Sequence, residues 1–226
     1  TRYNLWANRY TVDNGWGTAQ LIETENLGNA EFPNFLSDIS GNITAVWRQY
    51  DGTRFNLWAN RYTVGSGWGT AQLIETQNLG DVSQYEIIID DSGNVIVIWR
   101  QYDGTRNNLW ANRYTVGSGW GTAQLIETQN LNVDFPKISM DSSGNVTGVW
   151  ISVYVADNGA SRFDLWANRY TVGSGWGTAQ LIETENLGSA GMPKILFDSS
   201  GNVTAVWSQS DGTRFNLWAN RYTVGS

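Results

Sequence analysis

The words LWANRYTV occur five times, starting at Leu5, Leu57, Leu109, Leu165 and Leu217. The steps between them are 52, 52, 56 and 52 residues. No other feature constrains the fold as tightly. Near-identical units must adopt near-identical conformations, so the chain is an array of one supersecondary unit whose copies stack on their neighbours. The repeats run approximately over 4–55, 56–107, 108–163 and 164–215, with a partial repeat at 216–226, and are expected to form a single domain over 1–226.

Each unit holds four runs with the period-two alternation and the β-branched and aromatic content of strands. In chain order from the linker they are strand A, as in FPKISMD (135–141), strand B, as in VTAVWSQ (203–209), strand C, LWANRYTV, and strand D, WGTAQLIE. The turns SSGN, SDGTR and GSG separate them, with the Gly and Asp content of tight hairpins. No stretch shows a 3.6-residue apolar period. Four antiparallel strands per ~50 residues predict an all-β fold, a β-propeller of four-stranded antiparallel blades with four blades' worth per chain. The insertion at 151–162 is expected to be a surface turn.

The strand count carries a consequence. Strands A, B and D occur four times and C five times, because the chain starts with C–D and stops after A–B–C. The last blade lacks its outer strand, and the first D run (16–23) is expected to supply it and close the ring. Closure predicts either a four-bladed monomer or an eight-bladed two-chain ring, hence self-association as a homodimer or by strand exchange. The residues expected to carry closure are Trp6, Tyr10, Trp16, Leu21, Ile22, Trp218 and Tyr222.

Composition narrows the function. The chain has 226 residues and a net charge of −7, with its 14 Lys and Arg spread along its length. Nucleic-acid binding requires clustered cations and is therefore excluded. There is no 18-residue apolar run and so no membrane span. Cysteine and histidine are both absent, which removes disulfides, thiolate metal sites and the commonest general base. No cofactor and no metal are expected. The recurring Asp38, Asp90, Asp141 and Asp198 offer one carboxylate per turn, too few for calcium, and are expected to cap their own hairpins.

The run DSSGNVTAVWSQSDGTRFNLWANRYTVGS (198–226), with the GWGTAQLIE that follows its other copies, resembles highly repetitive bacterial β-propellers. Its layout is also similar to that of fucose-binding propeller lectins. The D-x-S-G-N turn is reminiscent of the Asp-box of sialidases, but its spacing departs from that pattern and no activity is carried over. These resemblances imply a bacterial extracellular or cell-surface protein. Repeated equivalent sites suit multivalent attachment. The expected function is thus a non-catalytic, lectin-like module binding glycans or cell surfaces, not an enzyme and without catalytic residues. The alternatives are a structural, self-assembling propeller and, third, a glycosidase-like enzyme, disfavoured because a catalytic centre is built once from unlike residues.

The candidate ligand-binding residues are the GWG tryptophans Trp16, Trp68, Trp120 and Trp176, as platforms for sugar rings, against a packing role. Tyr50, Arg54, Tyr102 and Arg106 of the QYDGTR turns are the second set, against a plain Asp-Gly turn. Arg9, Arg61, Arg113, Arg169 and Arg221 are expected to pair with a strand-D carboxylate such as Glu23 or Glu75, or to cover a ring.

Overall fold

Alternation along each repeat lets a strand bury both faces only if sheets stack, and the sheets do stack. A computed structural model describes residues 2–24, 28–77, 79–155, 159–184 and 188–224. The first copy gives four short pieces, β1 (Trp6–Ala7), β2 (Tyr10–Thr11), β3 (Gly15–Trp16) and β4 (Gln20–Leu21). Sheet I comprises β5 (Ala30–Ser37), β6 (Ile43–Tyr50), β7 (Phe55–Thr63), β8 (Gly67–Trp68) and β9 (Gln72–Leu73). Sheet II comprises β10 (Val82–Ile89), β11 (Val95–Tyr102), β12 (Asn107–Thr115), β13 (Gly119–Trp120) and β14 (Gln124–Leu125). Sheet III comprises β15 (Asn132–Met140), β16 (Val146–Val155), β17 (Ser161–Thr171), β18 (Gly175–Trp176) and β19 (Gln180–Leu181). The last sheet holds β20 (Ala190–Phe197), β21 (Val203–Ser210) and β22 (Phe215–Tyr222).

The fold is all-β, with blade-like antiparallel meanders as expected. The middle of the 151–162 insertion, 156–158, lies outside the described residues; its flanks extend β16 and β17 beyond their counterparts. Strand D differs from the expected continuous run. It is split into two pairs, Tyr62↔Trp68 with Thr63↔Gly67, and Trp58↔Leu73 with Ala59↔Gln72. The cause is an asparagine in strand C. The Asn60 amide donates to the Gly69 carbonyl at 3.0 Å and to the Ile22 carbonyl of the preceding unit at 2.8 Å. The Arg61 N–H donates to the Asn60 Oδ1 at 2.7 Å. One side chain therefore replaces ladder bonds at the break and ties neighbouring sheets together. Asn112 does the same toward Gly121 and Ile74, and Asn168 toward Gly177 and Ile126.

Between these clasps lies the core. Trp47, Trp99 and Trp150 of the second strands are fully buried. Their indole N–H groups donate to Gln49, Gln101 and Ser152 two residues on, at 3.1–3.2 Å, so each polar handle is satisfied. Val46, Leu57 and Ile74 of sheet I pack under Val97 and Trp99 of sheet II, with Trp110, Tyr114 and Trp120 at the rim. The same layer recurs between sheets II and III. Full burial of each such side chain stabilises by roughly 1.5–3 kcal/mol.

The hairpin aspartates act as expected: Asp38 accepts from the Asn42 N–H at 2.9 Å and from its side-chain amide at 2.8 Å. The strand-C arginines correct the sequence expectation of a strand-D partner. Arg61 pairs with Asp38 at 2.7 Å, Arg113 with Asp90 at 3.7 Å and Arg169 with Asp141 at 2.8 Å. The A–B hairpin brings that aspartate to the end of strand C, nearer than the strand-D glutamate. Each guanidinium also lies about 5 Å over a tyrosine of the following sheet, Tyr114, Tyr170 and Tyr222 in turn. Gly93 admits the first of these pairs, because a Cβ there would lie 2.6 Å from the Asp38 Oδ2.

Ring closure does not take the expected form. The first D pieces stay with their own strand C, in the pairs Trp6↔Leu21 and Tyr10↔Trp16. Among the described residues, β22 pairs with β21 and with no second strand. The surplus copy of LWANRYTV is thus an edge strand at the C-terminal end.

Candidate functional site

The first strands of neighbouring sheets lie beside one another, and here the repeats stop being alike. Each of β5, β10, β15 and β20 carries a register shift at the same step, between Glu31 and Asn34, Val82 and Tyr85, Asp134 and Lys137, and Gly191 and Lys194. At three of these bulges the residue before a proline has a left-handed backbone: Phe32 (φ 50°), Phe135 (φ 50°) and Met192 (φ 51°). Such a conformation costs about 1–3 kcal/mol in a non-glycine residue. It turns a large apolar side chain outward beside the strand ends, where all three are exposed. The second sheet has Gln84–Tyr85 instead of Phe–Pro or Met–Pro and no such strain.

The bulges of sheets I to III enclose a cleft of about 590 Å³, lined among others by Phe32, Arg48, Tyr85, Glu86, Phe135 and Lys137. Equivalent positions hold unlike residues. One step carries Glu31, Ser83, Asp134 and Gly191, and another Asn34, Glu86, Lys137 and Lys194. Both lysines of the chain occupy that second step. Charges pair at and beside the cleft: Arg48 with Glu31 within sheet I at 2.9 Å, Arg100 with Asp134 at 3.6 Å, and Lys137 with Glu86. The last two pairs each join two sheets. Arg48 also stacks on Phe32 and Phe55, at 4.5 and 4.4 Å. The Nε atoms of Arg48 and Arg100 are buried and lack an acceptor among the described residues. The Tyr85 hydroxyl faces the Val46 carbonyl at 3.0 Å and the Phe32 carbonyl, fixing sheet II against sheet I. Burial raises its pKa above the usual phenol range.

Chemically, the cleft supplies cations for an anionic ligand, ion-paired carboxylates as proton acceptors, and exposed rings at the rim. The sequence reading did not select these residues. The available signal was their divergence, which falls in strand A while the rest of the repeat is constant.

The residues selected from sequence lie elsewhere. Trp68, Trp120 and Trp176 are half-buried at the outer rim, each edge-on to the tyrosine it pairs with, at 5.6–5.8 Å. Trp16 makes the same contact with Tyr10 but is 69% exposed. Tyr50 and Tyr102 donate to the carbonyls of Gly52 and Gly104 within their own turns. Arg54 lies 3.8 Å from Asp51, and Arg106 donates to Asn108 and Asn130.

A second set of carboxylates is buried where strand D ends. Gln101 donates to Glu75 at 2.7 Å, and Gln209 and the Leu165 N–H donate to Glu183. Burial pushes Glu75 up to about 8 and Glu183 up to about 7. They recur in every repeat and join strand D to the next sheet, which marks them as structural.

No protein-family model matches the sequence, and no curated protein is similar to it in sequence. Solved structures are similar in fold. Polysaccharide lyase Uly1 superposes with a TM-score of 0.56 at 10% identity, over 97% of this chain and 57% of that one. An ulvan lyase bound to -[GlcA(1-4)Rha3S]- gives 0.56 at 13% identity, over 90% and 57%. The α-L-arabinanase of Penicillium chrysogenum, complexed with arabinobiose, gives 0.53 at 14% identity, over 98% and 67%. The chain therefore spans little more than half the length of the two lyases.

These likenesses correct the sequence reading. The all-β arrangement of repeated four- to five-stranded sheets is one found in carbohydrate-active enzymes, not that of a lectin-type propeller. The expectations of a lectin-like, non-catalytic repeat module and of no enzyme are set aside with it. Their physical premise also fails, because they rested on every blade being equivalent. The first strands are not equivalent, and they assemble one asymmetric cleft.

Proposed function

We propose that the chain cleaves an acidic polysaccharide at the cleft between sheets I, II and III. The observation that carries this reading is the cleft itself, built once from unlike residues, with Arg48, Glu86 and Lys137 among its lining. Each of these cations, and the neighbouring Arg100, is balanced by a carboxylate, so an anionic ligand would take Arg48 and Lys137 over from Glu31 and Glu86, which frees Glu86. The reaction class they fit is β-elimination at a uronic acid. Arg48 and Lys137 neutralise the uronate carboxylate and so stabilise the charge that develops when the neighbouring C–H proton leaves. Glu86 takes that proton as general base. The carbon–oxygen bond to the leaving sugar breaks, a carbon–carbon double bond forms, and the leaving oxygen takes a proton from solvent water, while the proton on Glu86 is later returned to solvent. Phe32 and Phe135 flank the polymer. A polymeric substrate supports a location outside the cell or on its surface, in keeping with the bacterial repeat proteins that the sequence resembles. Completion of the last sheet into a closed ring belongs to the same proposal, since it would hold the first strands at fixed spacing.

The test is incubation with polyuronates and with neutral polysaccharides, reading unsaturated ends by ultraviolet absorbance and reducing ends by a colour assay. Unsaturated ends from a polyuronate, lost at least about 100-fold in Glu86→Gln with near-UV circular dichroism unchanged, are expected. Reducing ends without unsaturation would replace elimination by hydrolysis. No new ends from any polymer would remove the enzymatic reading.

A further inference from the structure

Strand A is not the only place where the copies part. The largest difference elsewhere is the B–C hairpin of sheet III. Residues 151–164 stand there between Trp150 and Leu165, where sheet II has only 100–108 between Trp99 and Leu109. The extra length goes into the ladder, because β16 and β17 stay paired out to Val155↔Ser161. The A–B turns, at the opposite end of the sheets, keep Ser-Gly-Asn in all four units. Both departures therefore fall at one end of the sheets, the end that holds the cleft. Asp134, at the step of the bulge, pairs with Ile151, where the long hairpin begins. Sheet III has a packed neighbour on each side, sheet II and the last sheet, so this region does not depend on either end of the chain.

Strand alternation gives the direction of each side chain in the hairpin. Trp150 packs on Ile96 and Ile98 of sheet II, so Ser152 and Tyr154 stand on that same face. Arg162 is opposite Tyr154, and Asp164 is opposite Ser152. Arg162 donates to both Asp164 oxygens, at 2.8 and 3.0 Å, and its guanidinium lies 5.6 Å from the Tyr154 ring centre. One side of the ring is thereby braced, while Tyr154 remains 42% exposed. Its hydroxyl has no partner among the described residues, whereas Tyr50 and Tyr102 are tied to carbonyls of their own turns. Sheet II meets this face from the other side. Leu109 packs toward sheet III, so its pairing partner Arg100 faces that way, and so does Tyr102 two residues on. Arg100 reaches Asp134 at 3.6 Å, close enough for an ion pair but too long for a hydrogen bond. This pair adjoins the cleft and lies nearer the core than either tyrosine.

We infer that Tyr154 forms a second sugar subsite of the same substrate groove. The polymer runs from the cleft over Arg100 and Asp134, its next acidic group meets Arg100, and one of its rings stacks on Tyr154. A tyrosine offers a flat apolar face with a polar tip, which suits the C–H face of a sugar and its hydroxyls. Arg162 and Asp164 are positioning residues, because they act by holding the Tyr154 ring. The subsite rests on the cleavage of an acidic polysaccharide proposed above and adds two requirements to it. The substrate carries acid groups on more than one residue, and affinity depends on chain length.

The test reads binding in Glu86→Gln, where the probe is not consumed. The probes are fluorescently labelled oligogalacturonates of increasing length. Affinity is expected to rise with length. Adding Tyr154→Ala is expected to weaken the longer oligomers about fivefold, the size of one lost ring contact, and to leave the shortest unchanged. Replacing 152–164 by QYDGTRNN, the 101–108 segment of sheet II, is expected to do the same. Arg100→Gln is expected to weaken the longer oligomers too and to flatten the salt dependence of their binding. Phe163→Ala alters the other face of the hairpin and is expected to change nothing, which separates a ring contact from a loosened hairpin. Binding and cleavage with an unaltered length dependence in Tyr154→Ala and in the shortened hairpin overturn the subsite and leave the cleavage reading standing. No binding of any oligomer, together with no new ends from the unmodified chain, removes both.

Discussion

Leu109 and Leu217 sit in the same eight-residue phrase, yet Leu109 is fully buried and Leu217 is 82% exposed. Trp120 is half-buried and Trp16 is 69% exposed. Local sequence does not differ enough to account for this, and strand pairing accounts for part of it: β12 is paired on both edges, whereas β22 pairs only with β21 among the described residues. What differs is the neighbour. In a stacked array, burial belongs to the junction between units, so inner copies are stabilised on two faces and terminal copies on one. The core of this protein is a property of adjacent repeats taken together.

That contrast is open to direct attack. Trp99→Ala removes a fully buried ring between sheets I and II and is expected to cost about 3–5 kcal/mol, while Trp6→Ala costs below about 0.5 kcal/mol, both read from urea midpoints. Equal costs would mean that the terminal unit is packed like the inner ones. A smaller effect is expected from the clasp. Asn112→Ala leaves the Ile74 and Gly121 carbonyls without their donor in a buried setting, at about 1–3 kcal/mol. Asn220, which is exposed although it also reaches Ile182, should cost below about 0.5 kcal/mol. The gentlest test is pH. Glu75 and Glu183 hold protons in the folded state up to about 8 and about 7, above the ordinary carboxylate value of 4.5. The folded protein then binds more protons than the unfolded one across that window. Their contribution to stability is fully present below 4.5 and declines as pH rises through these values, by at most about 1.4 kcal/mol per pH unit for each group. Tm should fall between pH 5 and pH 8, and Glu75→Gln should flatten the decline. A Tm that rises with pH would contradict the assignment.

Much of the scaffold was legible beforehand. Period-two runs and Asp-Gly or Ser-Gly-Asn turns announced the meander, and the capping role of Asp38 followed from its place before the turn. The break in strand D was not legible, because it depends on Asn60 reaching across to Gly69 and Ile22, contacts that no local pattern encodes. Of the two roles that sequence order offers Arg61, covering a ring is met at Tyr114, whereas its acidic partner is Asp38, delivered by the hairpin, and not a strand-D glutamate. The cleft was overlooked for a different reason. Glu31, Tyr85, Glu86 and Lys137 form no motif along the chain; they gather only when three first strands are set side by side. Constancy drew attention to GWG, while the chemistry resided in what the copies did not share.

The bulge at Phe32, Phe135 and Met192 has one further consequence. It swings a short segment, residues 31–34 and its counterparts, away from the packed layers while leaving the second strand and its tryptophan in place. Such a segment behaves as an interchangeable cassette. Transplanting 134–137 into the first sheet, or 31–34 into the third, would reorder the charges and the ion pairs around the cleft while leaving the buried tryptophan layers between sheets in place. Recombination among near-identical repeats performs that kind of transplant readily, so a chain of this design is able to vary its site by shuffling positions and keep its scaffold unchanged.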